Sequence, residues 1–259
     1  MRLLDLFAGI GGFSLAAHWM GWGTAAFVER EPFCQKVLRK NFGEDIEIHD
    51  DIFDFDGRPF RGAVDIITGG FPCQPFSAAG KRKGSEDDRY LWPEMLRVIN
   101  EVQPRYVVGE NVLGLVNWSN GLVFEQVQSD LETQGYEVGT FVLPACAVNS
   151  PQQRYRVWFI AHNYKVESEP VGIRRETNQQ QRTPQIRRED WQLFDLVGNG
   201  TVFKGWRNQG RGNYTESFIL RDSDGFSGWM DRASALGNSI VPQLAFEIFR
   251  AIEKTEEKT

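Results

Sequence analysis

Short apolar runs rich in Val, Ile and Phe alternate with longer amphipathic stretches from the first residues to about His162. The runs RLLDLF (2–7), TAAFVE (24–29), VDIIT (64–68), RYVVGE (105–110), GTFVL (139–143) and RVWFIA (156–161) predict buried strands. A further strand is expected to end near Asp50-Asp51-Ile52. Between the runs, 12–20, 32–41, 91–102 and 122–134 have helical spacing, the second opening on Pro32 in the favoured first-turn position. Strand–helix alternation predicts an α/β fold, a doubly wound and mostly parallel sheet with helices on both faces. After His162 the rhythm stops. Residues 163–230 are polar, rich in Gln, Arg, Asn and Gly, with isolated Trp191, Trp206 and Trp229. Order returns near 235, and PQLAFEIFRAIEK (242–254) predicts an amphipathic helix that packs back on the sheet. The expected organisation is a large discontinuous domain, 1–162 plus 231–259, interrupted by a small irregular region, 163–230.

Composition narrows the function classes. With 259 residues, 41% apolar and 25% charged, the chain has ordinary globular usage and length enough for one α/β domain with a small companion. No apolar run approaches the ~20 residues that span a bilayer. In MRLLDLFAGIGG glycine arrives too early for a signal peptide. The expectation is a soluble cytoplasmic protein with no membrane partner. Three cysteines without a C-x-x-C pair and three widely spaced histidines predict neither a disulfide framework nor a metal site. The net charge of -6 argues against wholesale coating of nucleic acid. From Arg174 to Arg221, however, nine Lys/Arg stand against five Asp/Glu. That local excess suits phosphate contacts, and equally an ordinary solvated surface.

The first strand runs into Phe7-Ala8-Gly9-Ile10-Gly11-Gly12 and then a helix, a geometry in which glycines let a ligand approach the backbone closely. Glu29 ends the second strand 20 residues beyond Gly9, where an acid can accept ribose hydroxyls. Asp50 and Asp51 add carboxylates at the same sheet edge. Together they favour an adenosine-containing ligand, and the absence of a phosphate-loop lysine disfavours ATP. Directly after the fourth strand, Cys73 sits between Pro72 and Gln74-Pro75 on a glycine-bounded loop. A buried structural cysteine would normally sit within an apolar strand, so this placement suits an exposed, reactive thiolate.

These segments, taken in order, resemble the DNA (cytosine-5)-methyltransferases of bacterial and phage type. Asp5 to Gly12 resembles that family's first motif, Glu29 its second and Asp51-Ile52 its third. Gly70-Phe-Pro-Cys73-Gln-Pro-Phe-Ser77 resembles the nucleophile motif, and Glu110-Asn111-Val112 the catalytic-glutamate motif. Gln152-Gln153-Arg154-Tyr155-Arg156 resembles the paired-arginine motif, and Gly237-Asn238-Ser239 the C-terminal motif that returns to the cofactor pocket. In place of the family's Leu-Thr-x-Arg-Glu segment stands Phe226–Arg232, and the region between motifs, matching nothing nameable, is short.

The resemblance implies a Rossmann-like, S-adenosylmethionine-dependent methyltransferase whose product is S-adenosylhomocysteine. It implies Cys73 as nucleophile, Glu110 as the acid at cytosine N3, and Arg154 and Arg156 as catalytic partners, with Arg156 on the base carbonyl. Burial beside Val107 and Val108 would raise the Glu110 pKa in the direction an acid needs. Arg154 and Arg156 are expected to alternate along one strand and so share a face. Asn111 is expected to steady Glu110 and the nucleophile loop. The implied cofactor pocket comprises Phe7 (stacked on adenine), Ala8, Gly9, Ile10, Gly11, Gly12, Glu29, Arg30, Asp51, Ile52, Pro72, Leu91, Asn238 and Ile240. Lys81–Arg89 resembles the loop that closes over a flipped-out base, and 163–230 takes the place of the target-recognition region. The implied partners are double-stranded DNA and a cognate restriction endonuclease, with the chain itself a monomer. A tRNA cytosine-5 methyltransferase would share Cys73 and Glu110, and a non-catalytic DNA- or cofactor-binding homologue is the remaining alternative.

Overall fold

The computed structural model describes residues 1–72, 90–148, 150, 153–163 and 239–256. Among them seven strands form one sheet: β1 (Arg2–Leu6), β2 (Gly23–Val28), β3 (Ile48–His49), β4 (Ile66–Gly69), β5 (Tyr106–Val112), β6 (Glu137–Pro144) and β7 (Tyr155–His162). Their order is β3-β2-β1-β4-β5-β7-β6. Every pairing from β3 across to β5 is parallel, whereas β7 runs antiparallel to both β5 and β6. The chain moves outward from β1 to β3 and then crosses back to β4. The strand order therefore reverses between β1 and β4, the place where open α/β sheets leave a crevice beyond their carboxyl ends.

Among the described residues five α-helices cover the sheet: α1 (Gly12–Trp19), α2 (Pro32–Phe42), α3 (Trp92–Val102), α4 (Leu122–Thr133) and α5 (Pro242–Glu256). Each matches the span its apolar spacing predicts to within two residues. In α3 the buried Trp92, Met95, Val98, Ile99 and Val102 recur at helical intervals and make one continuous stripe. Alternation along the strands divides the core in two. Leu4, Leu6, Ile67, Val107, Val157 and Phe159 face α3 and α4. Leu3, Ile66, Tyr106, Val108, Trp158 and Ile160 face α1 and α5. All are almost fully buried, so truncating one, such as Ile67→Ala, should cost ~2–5 kcal/mol.

α5 returns to the sheet beside α1, where Phe249 lies 5.0 Å from Trp22 and 6.5 Å from Phe13 between ring centroids. Its last turn is tied to the start of β5, since Tyr106 Oη donates to Glu256 at 2.6 Å and Arg105 pairs with the same carboxylate. No helix among the described residues is long and apolar enough to cross a membrane, and no group of three metal-ligating side chains occurs among them. One expectation is corrected. β7 starts at Tyr155, and Arg154 has a φ of 22°, so Arg154 and Arg156 are not alternate residues of one strand. The chain turns at Gln153–Arg154, where both carbonyls accept from the Ala145 amide.

Candidate active site

The carboxyl ends of five parallel strands each deliver a residue that the sequence singles out. β1 leads to Phe7, β2 to Glu29, β3 to Asp50 and Asp51, β4 to Gly70-Phe71-Pro72, and β5 carries Glu110 and Asn111. Because β7 runs in reverse, its beginning rather than its end reaches this edge, and so Arg154 and Arg156 arrive there too.

The glycine loop is shaped from below by two buried acids. Phe7 has a φ of 53° and Gly9 a φ of 56°. For a phenylalanine that is a strained backbone, costing about 1–3 kcal/mol, of the sort that clusters at binding sites. A side chain on Gly9 would meet nothing within 4 Å, so the loop faces open space there. The Gly9 amide donates to Glu29 Oε2 at 2.6 Å, and the Glu31 amide donates to Glu29 Oε1 at 2.8 Å. Glu29 is thereby fixed at the end of β2, half-turned toward the loop, and burial pushes its pKa above the ordinary value. Gly11 is the N-cap of α1 and has no side chain to cap it. Asp5, fully buried on β1, does that work instead. It accepts from the Ser14 amide at 3.3 Å, from Ser14 Oγ at 2.9 Å and from Thr68 Oγ1 at 2.8 Å. One carboxylate thus joins β1, β4 and the first turn of α1, and burial pushes its pKa up to about 7. Asp5 is not among the expected cofactor-pocket residues, although it opens the first-motif segment. Its signal was a lone acid in the apolar run RLLDLF.

The remaining residues of the expected pocket are distributed around this loop. Ala8 and Gly12 are buried, whereas Ile10 and Leu91 are half-buried and Arg30 is exposed. Ile240 lies against the start of α1, where a Cβ on Gly12 would come within 2.6 Å of Ile240 Cγ1. Asp51 is half-buried just past β3 and accepts from the Phe53 amide at 3.1 Å. The Ile52 side chain packs in the core at 4% exposure. Asn238 and Cys73 lie outside the described residues, as do Lys81–Arg89 and 164–230.

At the β4–β5 end the geometry is more specific. The Pro72 carbonyl accepts from the Leu91 amide at 3.1 Å, and the Phe71 carbonyl accepts from Asn111 Nδ2 at 2.9 Å. The backbone leading to Cys73 is therefore held by β5 on one side and by the start of α3 on the other. Glu110 is 7% exposed beside Gly70, whose Cβ would stand 3.5 Å from Glu110 Oε2. Burial pushes the Glu110 carboxyl up to about 7, opposed by Arg156 and Arg154. Arg156 Nε bonds Glu110 Oε1 at 2.9 Å. Arg154 Nη2 instead donates to the Ser239 carbonyl at 2.6 Å, tying this corner to the segment entering α5. A buried acid whose pKa is pushed up toward neutrality, beside a permanent cation, can give and retake one proton.

The family model for C-5 cytosine-specific DNA methylases matches residues 1–229 of the chain. The Type II methyltransferase M.AquIA of Picosynechococcus is 36% identical over 177 residues, which are 62% of this chain and 71% of that protein. M.HhaI of Haemophilus parahaemolyticus is 37% identical over 161 residues, 62% of this chain and 48% of that protein. The chain thus spans about half or less of several curated relatives, 39% in the case of M.Eco47II of Escherichia coli. Among solved structures, a mutant of DNMT2 from Spodoptera frugiperda shares the fold with a TM-score of 0.55 at 24% identity, covering 68% of this chain and 53% of that one.

Proposed function

The chain belongs to the C-5 cytosine-specific DNA methylase family, and from that premise we propose that it moves a methyl group from S-adenosylmethionine to carbon 5 of a cytosine in double-stranded DNA. The observation that carries this reading is Glu110. It is a buried acid with a pKa near 7, paired with Arg156, beside the strand exit that runs through Phe71 and Pro72 to Cys73.

The residues present fit an adenosyl cofactor. Gly9 opens onto free space, Glu29 keeps lone pairs beyond those its two backbone bonds use, and Asp51 has Oδ2 to spare. The two acids under the loop also suit a ligand that carries positive charge better than a pyrophosphate. When bound, S-adenosylmethionine supplies an electrophilic methyl group.

In the proposed reaction Cys73 adds as thiolate to cytosine carbon 6, and Glu110 gives its proton to N3, which takes the displaced electron pair. Arg156 polarises the carbonyl at position 2 and holds Glu110 in place. Addition of Cys73 and protonation by Glu110 leave carbon 5 enamine-like, the nucleophile that would accept the methyl group the bound cofactor supplies, with S-adenosylhomocysteine as the other product. A base then removes the carbon 5 proton, the 5,6 double bond re-forms, Cys73 leaves as thiolate and the N3 proton returns to Glu110. A cytosine inside a duplex cannot reach Cys73, so the base must be turned out of the stack, at a cost of a few kcal/mol.

The catalytic domain in this reading is 1–162 with 231–259. The segment 163–230 reads sequence, with its arginines and glutamines on base edges and phosphates. The protein acts in the cytoplasm, as a monomer, alone or beside a cognate endonuclease. The test is transfer of tritiated methyl to cytosine-containing duplexes and, in parallel, to tRNA. Label in the duplex alone is expected; label in tRNA alone, or in neither, would overturn the proposal. Changing Arg187, Arg188, Arg207 and Arg211 singly should shift site preference or reduce the salt dependence of binding.

A further inference from the structure

α3 grips the backbone that follows β3. Arg97 Nη2 donates to the Ile52 carbonyl at 2.6 Å, and Nη1 donates to the Phe55 carbonyl at 3.0 Å. The guanidinium is itself held by Glu94 Oε2 at 2.7 Å and Glu101 Oε1 at 2.8 Å. The other oxygen of Glu101 accepts from the Gly57 amide at 2.7 Å. Gly57 is tightly packed here, since a Cβ would stand 3.0 Å from both Glu101 Oε2 and Val102 Cγ2 and would press the Glu101 carboxylate aside. On a solvated helix face, Glu–Arg pairs three and four residues apart contribute little. Here the same pairs fix a planar donor fork against two carbonyls.

The gripped stretch begins beside Asp51 and includes Phe53, which is 54% exposed. β3 has only two residues and gives this turn little support from the sheet. The position of Asp51 is therefore set largely from α3. Its Oδ1 is occupied by the Phe53 amide, which leaves Oδ2 as an acceptor at the ligand edge. We propose that the Glu94–Arg97–Glu101 clamp positions Asp51 to read the amino group of the cofactor's adenine, so that Arg97 is a positioning residue for base specificity. This rests on the S-adenosylmethionine reading above. A carboxylate acceptor matches the 6-amino group of adenine and opposes the carbonyl oxygen that hypoxanthine carries there. Once the fork is lost, the turn relaxes, Asp51 returns to water and the distinction fades.

The experiment is calorimetric titration with S-adenosylhomocysteine and with its hypoxanthine counterpart, on the wild type, Arg97→Met, Arg97→Lys and Arg61→Ala. Arg61 donates to the Glu101 and Asn100 carbonyls at 2.9 and 3.0 Å, joining the same loop to α3 farther from Asp51. The wild type should prefer the adenine ligand by about tenfold or more, the value of one hydrogen bond to a charged group. Arg97→Met should lose most of that preference, Arg97→Lys should lose part of it, and Arg61→Ala should keep it. Full preference in either Arg97 variant would overturn the proposal, as would an equal loss in Arg61→Ala. Should Arg97→Met fail to fold, Arg97→Lys decides by the same criterion. A wild type that binds neither ligand would instead refute the cofactor reading itself.

Discussion

Removing the Glu29 carboxylate probes the cofactor end with a magnitude that can be worked from the structure. Glu29 accepts two backbone amides, at 2.6 and 2.8 Å, and is 8% exposed. In the proposed complex it also takes the two ribose hydroxyls. Each bond to a charged acceptor is worth about 1.5–3 kcal/mol, offset by rehydration of the freed hydroxyls, so Glu29→Ala should weaken S-adenosylhomocysteine at least tenfold. Glu29→Gln should be nearly as damaging, for a different reason. Its amide nitrogen must face one of the two backbone N–H groups, donor against donor, which costs about 1–3 kcal/mol and disturbs the Gly9 loop. A coupling cycle isolates the ribose contact. The 2′-deoxy ligand should bind the wild type more weakly than the parent, and Glu29→Ala should bind the two alike. Calorimetry showing the same 2′-hydroxyl contribution in wild type and Glu29→Ala would place the ribose contact elsewhere and refute the reasoning.

Asn111→Ala removes the bond to the Phe71 carbonyl, so turnover should fall about tenfold, with cofactor affinity nearly unchanged; a loss confined to cofactor affinity would count against its role. Arg156→Met removes the nearest cation from Glu110, whose pKa should then rise above about 7, as a carbon-13 titration of the glutamate side chain would register. The Asp5 pKa in the folded state, about 7, lies above its ordinary value of 3.8. The stability it contributes is therefore complete at pH below about 4 and is lost as pH rises through about 7. Thermal melts should show Asp5→Asn gaining on the wild type between about pH 4 and pH 7 and little further above that, and a constant difference would contradict the shift.

The elements were legible because each helix buries one stripe, and the acids just past β2 and β3 are ones the core has no use for. Glu29 and Asp51 stood out in sequence for that reason, whereas Phe7 and Glu110 came with the family motifs, and parallel strands carry all four to one edge. Strand direction was less legible. Periodicity of two is the same whichever way a strand runs, so RVWFIA did not reveal that β7 is reversed, with its amino end at the site. The backbone at Arg154 was hidden for a related reason: a positive φ at a non-glycine residue is imposed by tertiary contacts, here the Ala145 amide and the Ser239 carbonyl. Glu94, Arg97 and Glu101 look like any charged helix face until the 52–57 backbone is laid across them. Cys73, by contrast, was found by its motif, and the structure supplies the anchoring on its approach at Phe71 and Pro72.

The central claim is that Cys73 attacks cytosine carbon 6 while Glu110 handles the proton, and covalent trapping tests it most directly. A duplex with 5-fluorocytosine at the methylated position has no removable proton at carbon 5, so after methyl transfer the enzyme cannot leave. Incubated with S-adenosylmethionine, the wild type should form a denaturation-resistant adduct whose mass, after digestion, maps to the peptide bearing Cys73. Cys73→Ser should bind cofactor and form no adduct. Methylation of ordinary cytosine with only free protein recovered from the fluorinated duplex, or an adduct at any other residue, would contradict the mechanism.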